Sequence, residues 1–181
     1  MPPLHDWESF YVIIGSSAAA LTGLQFVVMA LAAEATHLKS TEETLSAFST
    51  PTVVHFSAVL LISAIAATPH QTTASLATCL VLGGIIAIAY QIDVIRHTHR
   101  QTGYTPVLED WLFHAIFPMV AYILLLIAGI AEYRRPAGPL YIVAISALIL
   151  LFVGIHNAWD TAVFITSARR REGGDAERPP D

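Results

Sequence analysis

Long apolar runs, each closed by a short polar cluster, set the rhythm of the chain. Five such runs are present, at residues 10–33, 52–67, 72–95, 111–131 and 140–166. About 20 predominantly apolar residues cross a hydrocarbon core as a helix. The pattern therefore predicts an all-α fold, a polytopic helical bundle with five transmembrane helices. The last run organises the rest, because it passes from a near-continuous apolar stretch into His156, Asn157, Trp159 and Asp160 and then into Arg169, Arg170 and Arg171.

The polar clusters read as connections. Ser40 to Glu43 opens a short juxtamembrane helix, and Thr50 with Pro51 reads as the cap and first turn of the second span. Pro69, His70 and Gln71 form a tight hairpin before the third span, in whose middle Gly83 and Gly84 permit close helix contact. Arg96 to Arg100, followed by Gly103 to Pro106, reads as a polar loop. Asp110 caps the fourth span, and Pro118 within it frees a backbone carbonyl that a neighbouring helix has to satisfy. Residues 1–166 thus make one transmembrane domain, and the charged, Gly- and Pro-containing residues 167–181 read as a disordered cytoplasmic tail. Along the first span Gly15, Ala19 and Gly23 recur every four residues, a spacing that brings helices close within a monomer or between copies.

Composition agrees with a bilayer as solvent: of 181 residues 55% are hydrophobic and 13% charged. The single cysteine, Cys79, has no partner for an intrachain disulfide. Net charge is −5 and the arginines are dispersed, so no nucleic-acid surface is indicated. With five spans, Lys39, Arg96, Arg100, Arg169, Arg170, Arg171 and Arg178 fall on one side, and Arg134 and Arg135 on the other. The positive-inside rule then places the N-terminus outside and the C-terminus in the cytoplasm.

That topology brings the membrane-associated polar residues towards one depth. His55, Asp93, His114, His156 and Asp160 all come near the cytoplasmic ends of their helices, with Gln25, Tyr90 and Asn157 at a similar level. Ionisable groups at membrane depth are costly unless paired or hydrated, and so mark sites. His156 and Asp160 are four apart and share a helix face. Three readings are open. In the first, a polar network ties the helix ends together in a structural or regulatory membrane protein. In the second, His55, His114 and His156 bind a divalent metal or haem, with Asp160 behind them. In the third, His and Asp relay protons or ions through a channel. No nucleophile elbow, phosphate loop or zinc-protease helix occurs, so a non-enzymatic role is expected.

The stretch from Trp7 to Val27, WESFYVIIGSSAAALTGLQFV, resembles the N-terminal segment of a family of small bacterial multi-pass membrane proteins, mostly uncharacterised. Some of them carry the label of membrane-protease modulators. The resemblance implies a bacterial cytoplasmic-membrane location, with the lipid bilayer and a further membrane protein or second copy as partners. It brings no catalytic residues.

Overall fold

The structure, a computed structural model, describes residues 4–35, 39–100, 108–134 and 139–176. Among these residues it is all-helical, without a strand. After a 3-10 turn at Leu4–Trp7 come α1 (Glu8–Ala35), α2 (Lys39–Ala66), α3 (Thr73–Arg100), the single turn α4 (Leu108–Trp111), a π-helical turn at Leu112–Ile116, α5 (Phe117–Glu132) and α6 (Leu140–Ala176). Four stretches are long and apolar enough to cross a membrane: Glu8–Leu31, Thr73–Arg96, Leu112–Glu132 and Leu140–Ser167. Thr50–Ala66 is a shorter apolar helix.

The helices pack with α6 in the middle. It contacts α1, α2 and α5, while α3 leans on the far side of α5. In α6 56% of the most apolar window is buried, against 17% in α3, so the last helix is the spine and α3 an edge. Unlike a water-soluble bundle, the outside is as apolar as the core, and several polar side chains are buried within that core. Ile13, Leu24, Phe26, Leu61, Ile86 and Phe152 point outward, whereas Gln25, Thr52, His55, Ser63, Gln91, Ser146 and Asn157 are buried. Lipid tails are as apolar as leucine, so what holds such helices together is close packing and hydrogen bonding. The interior accordingly contains Ala18, Ala121, Ala128 and Ala147. The Ser146 hydroxyl donates to the Ala121 carbonyl at 2.7 Å, joining α6 to α5.

Close approach rests on particular glycines. A Cβ on Gly84 would stand 3.0 Å from the Leu126 backbone, which is why α3 lies so tightly against α5. Gly83 beside it has nothing within 4 Å. The stripe in α1 divides similarly: Gly15 meets Ser63 on α2, whereas Ala19 is exposed and Gly23 faces open space. A four-residue step drifts around a helix of 3.6 residues per turn, so the stripe leaves the α2 interface within two steps.

Several expected boundaries are corrected. Thr50 and Pro51 do not start a new helix; α2 runs unbroken from Lys39 with Pro51 inside it. One lost backbone hydrogen bond is tolerated there because Pro51 and the following Thr52 are buried against neighbouring helices. Arg96 to Arg100 is not a loop but the last turn of α3, with basic residues where a helix C-terminus favours them. The helix before the fourth span starts at Leu108, so Asp110 is inside it rather than capping it. The helix α6 continues through Ala176: Ala168 to Glu172 are good helix formers, and the helix runs on past Gly173 and Gly174, which are not. Residues 177–181 of the expected tail, and 101–107 of the expected loop, lie outside the described residues.

The hairpin at Pro69 and His70 is present, with His70 at a φ of 55°, a left-handed position that L side chains enter at a cost. Thr72 caps the helix that follows: its hydroxyl accepts the Ser75 backbone N–H at 3.1 Å, and the Ser75 hydroxyl accepts the Thr72 N–H at 3.2 Å.

Candidate functional site

Pro118 shapes the polar end of the bundle. Lacking an N–H, it leaves the carbonyl four residues earlier, that of His114, without its helical partner. The chain widens there into a π turn, in which the Phe117 N–H bonds to the Leu112 carbonyl. The exposed His114 carbonyl is taken by α3: the Gln91 side-chain amide donates to it at 2.6 Å. Gln91 is wholly buried, and without this bond both it and the carbonyl would cost on the order of 1–3 kcal/mol each.

His55 occupies the centre. Its ring has no exposure, and its Nδ1 lies 2.8 Å from the Tyr122 hydroxyl, also fully buried, so α2 and α5 are joined across the interior. His114, half-buried on the π turn, is near enough for its charge to act on His55. Tyr90 on α3 lies near Tyr122, and Asp93, on the exposed side of α3, near Tyr90. Four of these five groups were expected at one depth from the sequence; Tyr122 was not.

His156 belongs to a second cluster. Its Nε2 is 3.0 Å from Asp160 Oδ2, one turn along α6, and 3.6 Å from Glu109 Oε1 on α4. The first is a close polar contact. The second exceeds hydrogen-bond length and is electrostatic only. The ring stacks on Phe113, with centroids 3.5 Å apart and planes 20° from parallel. Both carboxylates are more than half exposed, so this clasp faces solvent or headgroups rather than the interior.

Gln25 and Asn157 are each 2% exposed, from α1 and α6 respectively. Gln25 and Asn157 thus lie in the buried interior with His55, whereas Asp93 and Asp160 are exposed. His55 pairs with Tyr122 and His156 with Asp160. Among the described residues no group of three His, Cys, Asp or Glu side chains is placed to hold a metal ion. His37, in the only Glu-x-x-His spacing, lies outside the described residues.

Sequence reasoning missed Tyr122, Gln91, Glu109 and Phe113 as partners. Pro118 was a usable pointer to Gln91, since a freed carbonyl needs a donor and Gln91 is the one amide in the third span. Nothing in the sequence singles out Glu109. At the opposite end it also missed Glu132, which is 3% exposed and near enough to the buried Tyr11 for its charge to act there. No protein-family model, curated protein or solved structure matches the chain.

Proposed function

We propose that the chain is a non-enzymatic integral membrane protein of structural or regulatory type, spanning the bacterial cytoplasmic membrane five times with its N-terminus outside. Its polar groups at the cytoplasmic end act as ties between helices. The observation that carries this reading is that two of the three histidines have local partners of their own: His55 on Tyr122, and His156 beside Asp160 and stacked on Phe113. A metal or haem centre on His55, His114 and His156 needs three imidazoles facing one point.

Five crossings are supported by the ends at which helices begin. Trp7, at the start of α1, packs edge-on against Tyr141, at the start of α6, with centroids 4.6 Å apart. The two helices therefore start at the same end, as an odd number of traverses requires. Thr50–Ala66 supplies the remaining traverse: at about 1.5 Å per residue it covers some 26 Å of a core about 30 Å thick, and the rest of α2 extends it. Ala19, Gly23 and the outward apolar side chains of α1 leave room for lipid, a second copy or another membrane protein.

Reporter fusions test the topology. Fusion after Asp175 reports a cytoplasmic location, and fusion after Pro136 an external one. Both reporters on the same side would remove the five-span reading.

A further inference from the structure

The buried polar residues of α1, α2 and α6 share a level that contact registers define. Gly15 on α1 lies against Ser63 on the antiparallel α2. Advancing from Gly15 to Gln25, and retreating the same number of residues from Ser63, leads to Val53. Gly154 on α6 lies against Phe56. Advancing from Gly154 to Asn157, and retreating equally from Phe56, again leads to Val53. Gln25, Asn157 and the Thr52–His55 turn therefore form one layer at the meeting of three mutually contacting helices.

Within this layer four polar atoms are buried without a hydrogen-bond partner among the described residues: Gln25 Nε2, Asn157 Nδ2 and Oδ1, and His55 Nε2. Their side chains are 2%, 2% and 0% exposed. Leaving such atoms unmet costs more than holding a water in place, and in hydrocarbon no solvent is at hand to relieve it. The set also describes what it accepts. Amide nitrogens donate, Asn157 Oδ1 accepts, and His55 Nε2 takes whichever role its Nδ1 leaves on Tyr122. None of these three side chains is an acid or a permanent cation.

We propose that Gln25, His55 and Asn157 form a binding site for ordered water within the membrane-embedded bundle. A buried water makes about three hydrogen bonds, and the layer offers four atoms of mixed polarity, so one or two waters saturate it. Thr161, one turn nearer the polar end and also buried, has its own hydroxyl committed to the Asn157 backbone carbonyl at 2.9 Å, which leaves the Asn157 amide to the layer. The site extends the reading of the polar end as a set of helix ties: α2 is tied to α5 directly through Tyr122, and to α1 and α6 through water. A dry layer would leave the Tyr122 tie untouched, so the two statements fail separately.

Water-edited solid-state NMR on nitrogen-15-labelled protein in phosphatidylcholine bilayers tests this. The backbone amides of Ala147 and Leu150, fully buried in the apolar interior of α6, are the dry internal reference. Magnetisation should pass from water to the Gln25 and Asn157 amide groups several-fold faster than to these backbone amides. Asn157→Leu should slow the transfer to Gln25 to the rate of the reference; if that variant does not fold, the wild-type comparison decides alone. Transfer to Gln25 and Asn157 as slow as to the reference, or a direct bond between their amides, overturns the proposal. Resonance shifts on exchanging sodium for potassium would also overturn it, since the site would then hold an ion.

Discussion

Gly154→Leu should abolish the folded bundle in mild detergent, and Gly154→Ala should lower its melting temperature measurably. A Cβ on Gly154 would stand 2.8 Å from Phe56 Cδ1 and 2.9 Å from Cζ, inside van der Waals contact with a ring that is fully buried. Phe56 has little room to withdraw, because Val59, Leu150 and Val153 are buried alongside it in the same interior. Overpacking a tight interior costs about 1–3 kcal/mol or more, a large share of the roughly 5–15 kcal/mol that holds a typical domain folded. The position is also the spine of the bundle, so α6 cannot move away from α2 without leaving α1 and α5. Gly23→Leu is the matched control: nothing lies within 4 Å of Gly23, and the melting of the monomer should not change. Circular dichroism melts of the three variants check this. Equal losses at positions 154 and 23 would mean that the α2–α6 contact is misplaced.

Tyr122→Phe should destabilise the protein by about 1–3 kcal/mol, because it strips His55 Nδ1 of its partner without admitting solvent. His55→Leu in the Tyr122→Phe background should recover much of that loss, since removing both partners removes the unmet polar groups together. The coupling energy between the two positions should then exceed the loss in His55→Leu alone, because the double variant is more stable than Tyr122→Phe. Interhelical hydrogen bonds in membranes average about 0.6 kcal/mol and reach about 1.7. Unfolding in a denaturing-detergent titration, run as a double-mutant cycle, gives the number. Strict additivity would show that the 2.8 Å contact contributes nothing.

What the sequence revealed and what it withheld divide along a physical line. Span positions were legible because they depend on runs of apolar residues, and those runs survive in α1, α3, α5 and α6. The carbonyl freed by Pro118 was legible because it follows from proline's missing N–H alone. Helix ends were less so: polar composition at Arg96 to Arg100 signals departure from hydrocarbon, but a helix costs little to continue into water when its residues favour it. Pairings were the hardest. A helix that is apolar all round has no amphipathic phase, so nothing in residues 111–131 tells which face turns inward. Tyr122 and His55 meet only because α2 and α5 flank α6, and that arrangement arises from packing at Gly154, Ser146 and Ala121. For the same reason Gly15, Ala19 and Gly23 looked equivalent in sequence, although only Gly15 reaches another helix.

Whether the histidines tie helices together or gather around a metal or haem is tested most directly by elemental analysis and an optical spectrum of protein purified without a histidine tag, with melting measured before and after chelator, for wild type and His156→Ala. Local ties predict a colourless wild type without stoichiometric metal, melting that is indifferent to chelator, and a variant that is merely less stable. Stoichiometric metal or haem in the wild type, lost on chelation or in His156→Ala, would contradict them.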